Sequence, residues 1–99
     1  MNLSVQNQPQ HLPTFTIHVD NHSETRLDLV VCQLGNQVFR VPYPGGRSFT
    51  ITFQEPAAGD NPHLKLTGFQ HDSLLGVVIR VTSRTYPPTK YREDFIIFS

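Results

Sequence analysis

The sequence predicts an all-β fold, an antiparallel two-sheet sandwich of about seven strands. Three observations carry this expectation. Apolar and polar residues alternate at the two-residue period of a half-buried strand in several segments. Turn-forming residues recur roughly every 8 to 15 positions, as between short strands. No segment shows the period of an amphipathic helix. A small closed barrel with the same strand lengths is the alternative.

Residues 1–13 are rich in Gln, Asn and Pro without periodicity and read as a flexible polar arm, leaving 14–99 as a single domain. In Thr14–Asp20, Phe15, Ile17 and Val19 share one face, with Thr16, His18 and Asp20 on the other. The polar cluster that follows turns the chain. Leu27–Leu34 is apolar on both faces in its middle, as expected of a central strand. Gly35-Asn36 is a two-residue hairpin signal, and Gln37–Val41 is the returning strand. Pro42–Gly46 breaks the sheet. Ser48–Phe53 gives the cleanest alternation, with Phe49, Ile51 and Phe53 inward, and Glu55–Pro62 is the longest loop. Leu64, Leu66 and Phe69 mark a weaker strand, with a turn over 69–73. Leu74–Thr82 is a β-branched run carrying Val77, Ile79 and Val81. Arg84–Lys90 reads as a loop. Tyr91–Phe98 closes the fold, with Phe95 and Ile97 facing the core and Ile96 and Phe98 facing away. The strand count and spacing are immunoglobulin-like, but the cysteine pair and central tryptophan of that architecture are missing. The last strand ends a residue before the chain does, as expected of a whole small protein.

Size and charge narrow the function. A 99-residue domain buries roughly two-thirds of its unfolded surface, enough for one core but not for a deep internal site. Function is therefore expected on loops, a sheet face or an interface. Only 16% of residues are charged and the formal net charge is zero, which argues against a nucleic-acid binder. The lone Cys32 sits in the apolar run Leu29–Cys32, where a buried, inert thiol is expected. It excludes an internal disulfide and favours a reducing, cytoplasmic setting. The first residues show no secretory signal, and no run approaches the roughly 20 apolar residues of a membrane-spanning helix.

Two constellations carry candidate chemistry. His18, Asp20 and His22 lie two apart, so one strand face could present two imidazoles and a carboxylate to zinc, copper or non-haem iron. In an immunoglobulin-like topology, His71 and Asp72 would approach His22. The bland reading is a solvated strand face. The segment around Arg84, Tyr86, Lys90, Tyr91 and Arg92 combines binding-prone tyrosines and arginines with the stiffening pair Pro87-Pro88. Tyr43 and Arg47 form a smaller patch of the same kind. Against this stands a stiff hairpin tip with Arg80 and Arg84 guarding an edge. Pro44–Ser48 lacks the ending of a phosphate loop and is not followed by a helix, and His71-Asp72-Ser73 are consecutive and cannot form a triad.

The expectation is thus a non-enzymatic binding module without a cofactor, engaging a protein partner or serving as a subunit of an assembly, self-association included. A glycan- or lipid-headgroup-binding sandwich using exposed tyrosines is one alternative, and a metal-binding domain is another. Apolar residues on both faces of the last strand are the sequence's hint of a covering partner.

Overall fold

The computed structural model describes residues 13–22, 24–42, 48–92 and 96–98. Among the described residues, seven strands form two sheets: β1 (Thr14–Asn21), β2 (Leu29–Leu34), β3 (Gln37–Pro42), β4 (Ser48–Gln54), β5 (Leu64–Asp72), β6 (Val77–Tyr86) and β7 (Ile96–Phe98). A single helical turn, α1 (Pro88–Tyr91), lies between the last two strands. One sheet has the order β4-β1-β7 and the other β3-β2-β5-β6, and they do not close into a barrel. The sandwich expected from the alternation is the fold.

The alternating patterns place the core as read. Ile17, Val19, Ile51 and Phe53 line the inner face of the first sheet, and Val30, Cys32, Leu34, Leu64 and Leu66 that of the second. Phe15 is half-buried at the rim, stacked on Phe53 at 6.1 Å. Gly35 takes φ of 60° in the β2–β3 turn, the left-handed conformation that motivated the hairpin assignment.

The structure differs from expectation in three respects. The last strand has the opposite phase: Ile96 and Phe98 are fully buried and Ile97 is 45% exposed. The cause is its partner. β7 runs parallel to β1 with Ile96 opposite Val19 and Phe98 opposite Asn21, so the inward face of β1 fixes which β7 residues turn inward. Phe95 lies outside the described residues. β5 and β6 are also longer than their patterns implied. They pair from Leu64–Tyr86 to Asp72–Val77, moving the turn from 69–73 to 73–76. β6 therefore runs through Arg84 and Tyr86, where a loop was expected. Finally, Tyr91 belongs to α1 rather than to a strand. Pro88 presets the first helical φ, and the amides of Lys90 and Tyr91 close on the Pro87 carbonyl at 2.9 and 3.3 Å.

The β5–β6 ladder contains one irregularity. Gly68 faces Thr82 and Phe69 faces Arg80, so Val81 is an extra residue, a β-bulge on an edge strand. Gly68 is needed here for space: a Cβ would come within 2.8 Å of both Leu27 Cδ2 and Thr82 Cγ2. Leu27, just ahead of β2, is buried.

Candidate functional site

The Arg/Tyr segment is committed largely to the protein itself. Tyr86 is half-buried at the end of β6, and its hydroxyl donates to the Ile97 carbonyl, tying the four-stranded sheet to the three-stranded one. Burial pushes its phenol up, opposed by the charge of Arg84. Tyr91 is entirely buried, its ring stacked 5.9 Å from that of Phe15. The Arg92 guanidinium donates to both Glu55 carboxylate oxygens, at 2.8 and 3.1 Å, and lies 5.1 Å from the Phe15 ring centroid. The Glu55 bond holds Arg92 above its ordinary range and is the main influence holding Glu55 below its own. Of the residues read as a binding loop, Tyr91 and Arg92 are thus parts of the scaffold. Arg84 and Lys90 remain exposed on β6 and α1, and each also has an interaction within the chain. Tyr43 and Arg47 lie outside the described residues.

The His/Asp set is partly assembled. His22 Nε2 meets Asp20 Oδ2 at 2.5 Å, and the His22 amide donates to the Phe98 carbonyl at 2.8 Å. His18 sits on the same β1 face as Asp20. Among the described residues, no three His, Cys, Asp or Glu side chains gather as a metal site would require. His71 and Asp72 have other duties. The His71 amide donates to Asp28 Oδ2 at 2.8 Å, and Asp72 Oδ1 accepts from the amides of Leu74 and Leu75 at 2.9 and 3.1 Å.

A feature missed at the level of sequence stands on the β5–β6 hairpin. Leu74 is 95% exposed and Leu75 69%, and Val77, Val78 and Ile79 behind them are exposed as well. β2 pairs with β5 only as far as Leu29 opposite Phe69. Residues 70–72 and 77–79 therefore form a two-stranded ribbon beyond the four-stranded sheet. The apolar run looked like a buried strand because its residue types are those of one. The available signal was Leu74-Leu75 directly before Gly76: apolar residues in a turn, where a core strand would have ended in polar ones.

A concavity of about 610 Å³ lies between the β2–β3 turn and the 55–62 loop. Its polar wall includes Asn36, Gln37, Gln54, Asp60 and Asn61. Gln37 is fixed there by paired 2.9 Å bonds to the backbone of Gln54.

No protein-family model, curated protein or solved structure matches the chain. The described residues contain no helix long and apolar enough to cross a membrane.

Proposed function

We propose that this chain is a non-enzymatic binding module and that the β5–β6 hairpin is its contact element. The single observation behind this is the concentration of five exposed large apolar side chains on one projecting ribbon: Leu74, Leu75, Val77, Val78 and Ile79. Scattered exposed apolar residues need no explanation, whereas a contiguous group supports reading the element that carries it as a contact surface. A protein partner, the class expected from the sequence, would have to offer a concave apolar surface to accept a ribbon exposed on both faces. Sheet extension by a second copy is opposed at β6 by the Val81 bulge and by the exposed Arg80 and Arg84.

Retention on a hydrophobic-interaction column tests which element makes contacts. Wild type should be retained, Leu74→Ser/Leu75→Ser should elute early, and Arg84→Ala/Lys90→Ala should elute with wild type. If the leucine variant elutes unchanged, the hairpin is not the contact element and the reading fails.

A further inference from the structure

We propose that the hairpin tip inserts into the interfacial layer of a lipid membrane, placing Leu74 and Leu75 at the acyl-chain boundary. This rests on the reading of the hairpin as the contact element and adds what receives it.

The tip's backbone is the first argument. An apolar phase offers no partner to a backbone N–H, so a segment that enters it must satisfy its own. Here the amides of Leu74 and Leu75 donate to Asp72 Oδ1, and that of Gly76 donates to the Asp72 carbonyl at 2.8 Å. Behind the turn, residues 70–72 and 77–79 pair with one another. The amides of the turn itself are therefore satisfied within the hairpin, beneath its exposed apolar side chains.

Area and shape favour lipid over a second copy. The five exposed side chains together amount to about three fully exposed ones, on the order of 300 Å² of apolar surface. A stable protein–protein contact takes roughly 800 Å² from each partner, of which a little over half, about 450 Å², is apolar. Val77 and Ile79 lie on one face of the ribbon and Val78 on the other. A protein receptor must be shaped to enclose both faces, whereas lipid conforms to any convex tip. The bulge and arginines of β6 also oppose edge pairing along that strand.

The dimensions also fit. The overhang of three residues per strand is about 10 Å, and interfacial insertion reaches about 5–10 Å. The leucines can therefore enter while the sandwich stays outside. At the base of the ribbon, Arg80 pairs across from Phe69, and Arg26 lies near it, 3.4 Å from Asp28. Asp28 also accepts the His71 amide, and Asp72 is engaged by the tip. The formal charges of Arg26, Arg80, Asp28 and Asp72 cancel, so the attraction should be apolar, with little dependence on anionic lipid or salt.

The test uses the full chain and phosphatidylcholine vesicles, with and without phosphatidylserine, at low and high salt. Wild type should co-sediment with both kinds of vesicle. Leu74→Ser/Leu75→Ser should bind at least about tenfold more weakly while melting at the wild-type temperature. Because the chain has no tryptophan, Leu75→Trp adds a background-free probe whose emission should shift to the blue on vesicle addition. No binding by wild type would overturn the proposal, as would equal binding by the double serine variant or binding only to phosphatidylserine and abolished by salt. Vesicle binding absent while column retention still depends on Leu74 and Leu75 would refute lipid alone and leave a protein receptor.

Discussion

Replacing Tyr91 with phenylalanine should stabilise this protein. Tyr91 is fully buried, and its hydroxyl has no hydrogen-bond partner among the described residues. The adjacent Arg92 guanidinium lies 5.6 Å from the Tyr91 ring centroid and interacts with Tyr91 electrostatically, but its hydrogen bonds of good geometry go to Glu55, at 2.8 and 3.1 Å. Protein mutational data put the cost of burying a hydroxyl without a partner at roughly 1–3 kcal/mol. Tyr91→Phe removes that cost, keeps the ring against Phe15 and gives up a few dispersion contacts of the oxygen. The expected net gain is about 1 kcal/mol. For a domain of this size that raises the melting temperature by about 4–8 °C. Urea denaturation followed by circular dichroism reads the change directly, with thermal melts as a second measure. Tyr91→Ala is the companion variant and should cost about 3–5 kcal/mol, because it empties a core site. A Tyr91→Phe protein about 1 kcal/mol less stable than wild type would show that the hydroxyl is bonded and would refute the reasoning.

Three further outcomes are expected. Glu55 is held low chiefly by its bond to Arg92, so its contribution is complete above its ordinary value of 4.5 and is lost as pH falls through the depressed one. Urea midpoints should therefore fall more steeply below that value in wild type than in Glu55→Gln, and parallel curves would show that the pair adds no stability. Burial pushes the Cys32 thiol up to about 12, so an aromatic disulfide reagent should label it only at the rate of unfolding. Prompt labelling of the native protein would contradict its burial. Gly68→Ala should cost about 1–3 kcal/mol, since the added methyl meets Leu27 and Thr82; an unchanged urea midpoint would mean that both side chains shift freely.

What could be read in advance follows from how local each determinant is. The inward faces of β1, β2 and β4 were legible because alternation is written into consecutive residues: Ile17 and Val19, Val30 and Cys32, Ile51 and Phe53. The phase of β7 was not, because with only three residues it takes its facing from its parallel register with Val19 and Asn21, far away in the chain. The candidate site failed for a related reason. Tyr91 and Arg92 look like surface binders by type, but Phe15 and Glu55, which capture them, come from distant segments. The hairpin's run from Leu74 to Ile79 has core composition, but β2 begins only at Leu29, opposite Phe69, and the hairpin projects past it. Composition reports which side chains prefer burial. It does not report whether a neighbouring strand is long enough to provide it.

The placement of β1 has a consequence for how the fold is reached. Its two neighbours are β4 and β7, and it pairs with no strand adjacent to it in sequence. The four-stranded sheet contains two ladders between consecutive strands, β2–β3 and β5–β6, and can begin from local contacts. The three-stranded sheet has no such start. Its β1–β7 ladder joins the first strand to the last, so the loop-closure entropy of nearly the whole domain opposes that step. Until Ile96 and Phe98 arrive, the edge of β1 beside Val19 stays unpaired and the core lacks two of its largest buried side chains. A nascent chain would therefore carry an open sandwich until its final strand emerged, and the folding rate should depend more on β7 than three residues would suggest.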